Sequence, residues 1–155
     1  MDGGSVERIV VRAAPNGPGQ DVARANAVAG RGLEGDRYFA RAGTFSATPG
    51  DGRELTLIEA EALEGLAAEH GISLDAGETG RNVVTRGIAL NDLVGRRFRV
   101  GAVECVGRRL CDPCRTLERR TQQGVLRGLA RRGGLRADIV AGGEIAVGDR
   151  VLALD

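Results

Sequence analysis

Arg97-Phe98-Arg99-Val100-Gly101-Ala102-Val103-Glu104-Cys105-Val106 is the stretch on which the fold reading turns. Polar and apolar side chains alternate on both sides of the glycine, the period-two pattern of strands with one buried face. Cys105 shares a face with Val103, so core burial is its expected place. Outward from here, Asn82-Val83-Val84-Thr85 and residues 137–140, 144–147 and 150–153 have the same short, β-branched character, each bordered by glycine or a turn. Gly148-Asp149 reads as a hairpin turn. Val6-Glu7-Arg8-Ile9-Val10-Val11 forms a first strand and Leu55-Thr56-Leu57-Ile58 another.

Helical signals are fewer. Residues 59–70 place Leu63, Leu66, Ala67 and His70 on one face, and Gly71 stops the run. Residues 117–132 form a second helical region, interrupted near Gly124 and ended by Gly133-Gly134, and residues 21–29 suit a short helix. Residues 30–35 and 44–52 are rich in turn formers and predict a long irregular connection. Strands at close spacing without regular strand–helix alternation exclude a doubly wound sheet. The expectation is a mainly β fold, a small β-barrel with two or three decorating helices, in one domain over residues 1–155.

Composition narrows the function. The chain has 155 residues, 42% hydrophobic and 28% charged, and its 22 basic and 21 acidic side chains leave a formal charge of +1, so no global attraction to nucleic acid or anionic membrane follows. Every basic residue is arginine. Without lysine, a Schiff base and a P-loop lysine are excluded. No window has the length of a membrane span, residues 1–20 lack the order of a secretory signal, and three cysteines do not make a disulfide framework; a cytoplasmic, reducing setting is expected. Charge is segregated locally: residues 108–136 carry an excess of +7 and residues 51–78 an excess of −7. Solvated helix faces account for most of this, while an arginine-rich rim also suits an oxyanion.

Cys111-Asp112-Pro113-Cys114 carries the clearest chemistry. A thiol reacts as thiolate, which positive charge and helix amides stabilise. Asp112 as N-cap and Pro113 as first helical residue would place Cys114 in a first turn, with Arg109 and Arg115 flanking it. A zinc site would need Cys105 and His70 from elsewhere, a thioredoxin-like pair would need a βαβ context, and incidental loop cysteines are the plain alternative. Arg81-Asn82 offers an oxyanion donor beside an amide that both gives and accepts, which suits a heterocycle carrying phosphate, although a surface Arg and a turn Asn look the same in sequence. Gly30-Arg31-Gly32-Leu33-Glu34-Gly35 has the letters of the dinucleotide fingerprint without its βαβ frame; these glycines suit tight turns that present Asp36 and Arg37. His70, the single histidine, sits at a helix end and receives no role.

Gly32-Leu33-Glu34-Gly35-Asp36-Arg37, Leu55-Thr56-Leu57-Ile58-Glu59, Arg81-Asn82-Val83-Val84-Thr85-Arg86-Gly87, Cys111-Asp112-Pro113-Cys114 and residues 142–150, in that order, resemble the MOSC domain, named for the C-terminal region of molybdenum cofactor sulfurases. The likeness spans nearly the whole chain and is closest to the short stand-alone members. It implies a fold built around a β-barrel and a thiol that holds sulfur as persulfide or ligates molybdenum in a pyranopterin cofactor. The metal-binding cysteine of larger relatives falls at Cys114. Arg81 and Asn82 match a region that contacts the pterin, and Asp36 and Arg37 match the family's Gly-Asp-Arg segment. Basic positions that grip the cofactor phosphate must be arginine here.

The resulting expectation is a protein that binds the molybdenum cofactor or carries its sulfur. Cys114 is the catalytic thiol and metal ligand, and Arg81, Asn82, Asp36, Arg37 and Arg115 contact the cofactor; reduction of N-hydroxylated compounds extends the reading by analogy. Electrons would come from another protein, since no flavin, haem or iron–sulfur motif is present. The rival is a non-catalytic sulfur carrier with an arginine-rich docking surface. Expected partners are an anionic pterin or a sulfur-donor protein, with a homodimer compatible. Nucleic acid is disfavoured because Tyr38, Phe39, Phe45 and Phe98 are the only aromatics.

Overall fold

Period-two runs become strands almost wherever the sequence shows them. The computed structural model describes residues 3–14, 17–37, 39, 52–113 and 115–154. In chain order these form β1 (Gly3–Val11), β2 (Gln20–Val22), β3 (Arg24–Val28), β4 (Gly32–Leu33), β5 (Leu55–Glu59), α1 (Ala60–His70), α2 (Ala76–Thr79), β6 (Val83–Arg86), a 3-10 turn (Leu90–Leu93), β7 (Arg97–Val100), β8 (Val103–Leu110), α3 (Arg115–Arg120), α4 (Val125–Gly128), β9 (Leu135–Ala141), β10 (Gly143–Ala146) and β11 (Arg150–Ala153).

Seven of the strands close into a barrel in the order β1-β11-β7-β8-β9-β5-β6 and back to β1, with β2 added to β1 beyond the ring. Neighbours are antiparallel except β5 and β6. Parallel strands need a crossover, and α1 and α2 supply it. The founding stretch forms the β7–β8 hairpin: Val100 faces Val103, Gly101 takes a left-handed turn at φ 58°, and Phe98, Val100, Val103 and Cys105 are fully buried. Between the strands on the other face, Arg97 donates to Glu104. Leu55, Leu57, Leu135 and Ile145 belong to the same interior cluster. Outside the barrel, Ile58 and Val84 are buried with Ala62 and Leu66 of α1, Leu117 of α3 and Val125 and Leu129 of α4. Each fully buried leucine in these layers contributes about 1.5–3 kcal/mol by leaving water.

Four local expectations change. Residues 21–29 form β2 and β3, not a helix: Ala25 and Ala27 alternate inward, and β3 pairs with β10 in a separate three-stranded sheet. Gly148-Asp149 is a tight turn but not a hairpin, because β10 pairs with β3 while β11 pairs with β7 and β1; the turn passes the chain between sheets. On α1 the core-facing side chains are Ala62, Leu63 and Leu66, whereas Ala67 and His70 are exposed. The second helical region divides at Gly124 (φ 100°) into two short helices, and α2, closed by an Asp75/Glu78 capping box, joins them, so four helices decorate the barrel among the described residues. None of them is long and apolar enough to cross a membrane.

A rim where the separated motifs meet

Leu110, Leu135, Leu57, Val83 and Ile9 lie in register across five neighbouring strands, β8, β9, β5, β6 and β1. One step to one side of this row, β8 and β9 reach Cys111 and Gly134; one step to the other side, β5, β6 and β1 reach Thr56, Asn82 and Val10. Backbone bonds join each group within itself, with Cys111 N donating to Gly134 O (2.7 Å) in the first, and Asn82 N to Thr56 O (2.9 Å) and Val10 N to Asn82 O (2.7 Å) in the second. The Arg81 side chain, which reaches Gly133 O and Cys111 O, links the two groups.

Asn82 is 1% exposed and its amide is fully occupied. Oδ1 accepts from the Thr56 N–H (3.2 Å) and hydroxyl (3.1 Å), and Nδ2 donates to the Val10 carbonyl (3.2 Å), so one side chain stitches β1, β6 and β5. Arg81 is 8% exposed; its Nε donates to Gly133 O (2.9 Å), Nη1 to Thr79 O (2.8 Å) and Nη2 to Cys111 O (2.7 Å). Asp36 and Arg37 are also buried. Asp36 Oδ1 accepts from Arg12 N (2.9 Å) and from Arg37 Nη1 (3.4 Å), and Arg37 Nη2 reaches Gly80 O (3.4 Å). Arg12, itself buried, donates to Gly77 O. Three guanidinium groups thereby converge on the carbonyls of the α2 turn, and Asp36 is the buried carboxylate among the described residues there. The three Arg81 bonds are short and directional, which fixes the segments they join.

The cysteine segment lies against this frame. Cys111 is buried, Asp112 exposed and Pro113 buried. Gly133 fits beneath it because a Cβ there would come 2.3 Å from Cys111 O and 2.8 Å from Pro113 Cδ. Helix α3 begins at Arg115, so Asp112 and Pro113 precede the helix and do not cap and open it as expected; with six residues, α3 also supplies a weaker dipole than the long helix read from sequence. Cys114 lies outside the described residues, and of Arg115 only its place at the start of α3 is described.

A cavity of about 330 Å³ opens beside the frame, lined by Arg12, the turn 17–19, the carboxylates Asp75 and Glu78, Gly77 and Thr121, the last just past the far end of α3. A larger one of about 620 Å³, with Asp92, Arg96 and Leu152 in its wall, adjoins Gly87 at the opposite end of β6. Cys105 is inside the barrel, where burial, then Glu54, Glu104 and Asp138, push its thiol up to about 12. Glu54 is itself raised, chiefly by burial and against the N–H bonds it accepts from Ile139 and Gly30. His70 is exposed on α1, and no His, Cys, Asp and Glu cluster suited to a metal ion occurs among the described residues.

The structure thus ties Asp36, Arg37, Arg81 and Cys111 together by hydrogen bonds around the α2 turn, with Asn82 next to Arg81 in the chain. Sequence reasoning missed Arg12, Thr56, Thr79 and Gly133. A hydroxyl two residues before Arg81 and a Gly-Gly pair were the available signals, whereas nothing local marks Arg12, since its burial depends on α2 and Asp36.

The same architecture recurs in solved structures. The YuaD protein from Bacillus subtilis superposes with a TM-score of 0.81 at 16% identity, covering 96% of this chain and 94% of its own. YiiM from Geobacillus stearothermophilus gives 0.74 at 14% identity, covering 98% and 75%, and YiiM from Escherichia coli gives 0.68 at 18%, covering 97% and 70%. No curated protein matches the sequence. The MOSC domain model matches residues 45–152, the segment that holds most of the barrel, Arg81-Asn82 and the cysteine pair. The chain belongs to the MOSC domain family.

Proposed function

We propose that this protein binds the molybdenum cofactor or carries its sulfur, with Cys114 as the working thiol. The observation that carries the reading is the way Arg37 and Arg81 tie the Asp36-Arg37 and Arg81-Asn82 pairs to the Cys111-Asp112-Pro113 segment beside a cavity that Arg12 lines. The donor set fits a pyranopterin: thiolate is a soft ligand for molybdenum or sulfane sulfur, and guanidinium groups match a phosphate. Cys114 would ligate the metal; Arg37 and Arg115 would face the anionic end, with Asp36, Arg81 and Asn82 behind them as the polar frame. When bound, the cofactor supplies two-electron redox chemistry, with N-hydroxylated compounds as substrates by analogy and electrons from a separate protein. The chain's own residues orient it and keep the thiol ionised. A cytoplasmic, reducing setting belongs to the proposal, since it keeps a thiolate available.

The second reading is a sulfur carrier without turnover, favoured by the exposed arginines Arg127 and Arg131 near the cysteine segment in sequence. There the Cys114 thiolate attacks the outer sulfur of a donor persulfide; a new S–S bond forms at Cys114, the donor's S–S bond breaks, and the donor leaves as thiolate. One experiment separates the two. The protein and its Cys114→Ser variant are purified from cells that make the cofactor, and molybdenum and sulfane sulfur are measured per chain. Molybdenum retained by the wild type and lost in the variant supports cofactor binding; sulfane sulfur alone supports the carrier; equal traces of both in the two proteins overturn both readings.

A further inference from the structure

We infer that the cavity beyond β6, between the 3-10 turn and the end of β11, binds a small zwitterion with an apolar body, an apolar amino acid or dipeptide, whose ammonium meets Asp92 and whose carboxylate meets Arg96. The site is separate from the Arg81-Asn82 end of β6 and does not depend on the thiol proposal.

One wall of this cavity is the connection from β6 to β7, and neighbouring segments pin it from outside. Gly87 N–H donates to Glu61 (2.8 Å), Leu90 N–H to Glu59 (3.0 Å) and Asn91 Nδ2 to Arg131 O (2.9 Å). Arg86, just before, is paired with Glu7 and Glu64. A backbone fixed in this way keeps its shape without an occupant, which lowers the cost of binding. Ile88, Leu93 and Leu152 give the cavity an apolar lining, and about 620 Å³ lies within the range of small-molecule sites.

Asp92 and Arg96 stand four residues apart, the spacing at which opposite charges pair on a continuous helix. Here the 3-10 turn ends at Leu93, Val94 bridges to Gly107, and Gly95 turns left-handed (φ 78°) while its N–H donates to Gly107 O at 2.8 Å. The break parts the two side chains, and no hydrogen bond or ion pair joins them among the described residues. The Asp92 carboxylate accepts no bond from the described residues, and Arg96 Nη2 makes only a long one, to Leu154 O at 3.5 Å. Other exposed arginines, Arg24 and Arg97, meet a carboxylate on the surface. Asp92 and Arg96 both line the cavity instead. A simple anion would be repelled by the one and a simple cation by the other, whereas a molecule carrying both charges complements the pair.

The test is a titration of the full-length chain with L-leucine and with leucyl-leucine to about 50 mM, enough to fill a millimolar site, followed by backbone amide NMR shifts. Saturable shifts in residues 87–96 and 152–154 are expected with at least one of the two. Asp92→Asn and Arg96→Gln should each weaken that binding roughly threefold, the scale of an exposed charge pair. N-acetylleucine, which lacks the ammonium, should be indifferent to Asp92→Asn, and leucinamide, which lacks the carboxylate, to Arg96→Gln. Ala89→Trp, which fills the cavity, should abolish the shifts. Asp92, Arg96 and Ala89 are exposed, so unchanged urea midpoints are expected for all three variants. The absence of saturable shifts with both probes, shifts confined to other residues, or equal binding by wild type and both charge variants overturns the inference. None of these outcomes bears on molybdenum or sulfane sulfur content.

Discussion

Two cysteines sit six residues apart, Cys105 within β8 inside the barrel and Cys111 just past its end, and burial does not distinguish them: Cys105 is 0% exposed and Cys111 2%. Their polar company does. Around Cys105 the described charges are the carboxylates of Glu54, Glu104 and Asp138, which reinforce desolvation and keep the thiol protonated. Around Cys111 the backbone is held by a guanidinium and by the carbonyl of a glycine. The first arrangement is a core position. The second is a backbone fixed by a charge-assisted bond from Arg81.

The largest test of this contrast strikes the rim's support. Gly134 has a φ of 112°, and a Cβ there would come 1.9 Å from Leu57 O. Gly134→Ala should lower the unfolding free energy in urea by about 3 kcal/mol or more, from backbone strain and overpacking together. A loss under about 1 kcal/mol would mean that the rim yields and that its order is not rigid.

A medium effect concerns the interior thiol and its pH dependence. The native thiol of Cys105 holds its proton up to about 12, against 9.0 for an ordinary thiol, so the unfolded chain releases the proton first. Its contribution to stability is complete below pH 9 and is lost as pH rises from there towards 12. Between pH 8 and pH 10 the stability gap between wild type and Cys105→Ala should shift in the variant's favour by about 1.4 kcal/mol. A constant gap across that range would remove Cys105 from the titration.

The smallest expected effect is at Glu54. Its raised carboxyl keeps its proton in the native state at a pH where the unfolded chain has already lost it, so wild-type stability is lost as pH rises through the window above the ordinary carboxyl value of 4.5. Glutamine accepts the same two N–H bonds without that cost. Glu54→Gln should therefore gain on the wild type between pH 5 and pH 7, read as a shift in urea midpoint. A shift in the opposite direction would show that the charge is needed beside Arg108, which donates to Asp138 at 2.7 Å.

Much of this contrast could be read before any coordinates. The alternation around Cys105 marks an inward residue, and the rarity of Cys-Asp-Pro-Cys together with Gly-Asp-Arg and Arg-Asn marks the elements of the rim. The helix expected over residues 21–29 fails because alternating small alanines support either period, and only pairing with β10 selects the strand. Asp112 looks like a cap, yet the cap position depends on where Gly133 and Arg81 hold the preceding peptide.

Read alone, the chain settles the class of fold, the absence of lysine chemistry, and which residue types are present for sulfur and oxyanions, because these follow from periodicity and composition. Which arginines become buried structural donors is decided by barrel closure. A guanidinium leaves water only where several carbonyls from distant segments already point at it, and no local stretch encodes that meeting.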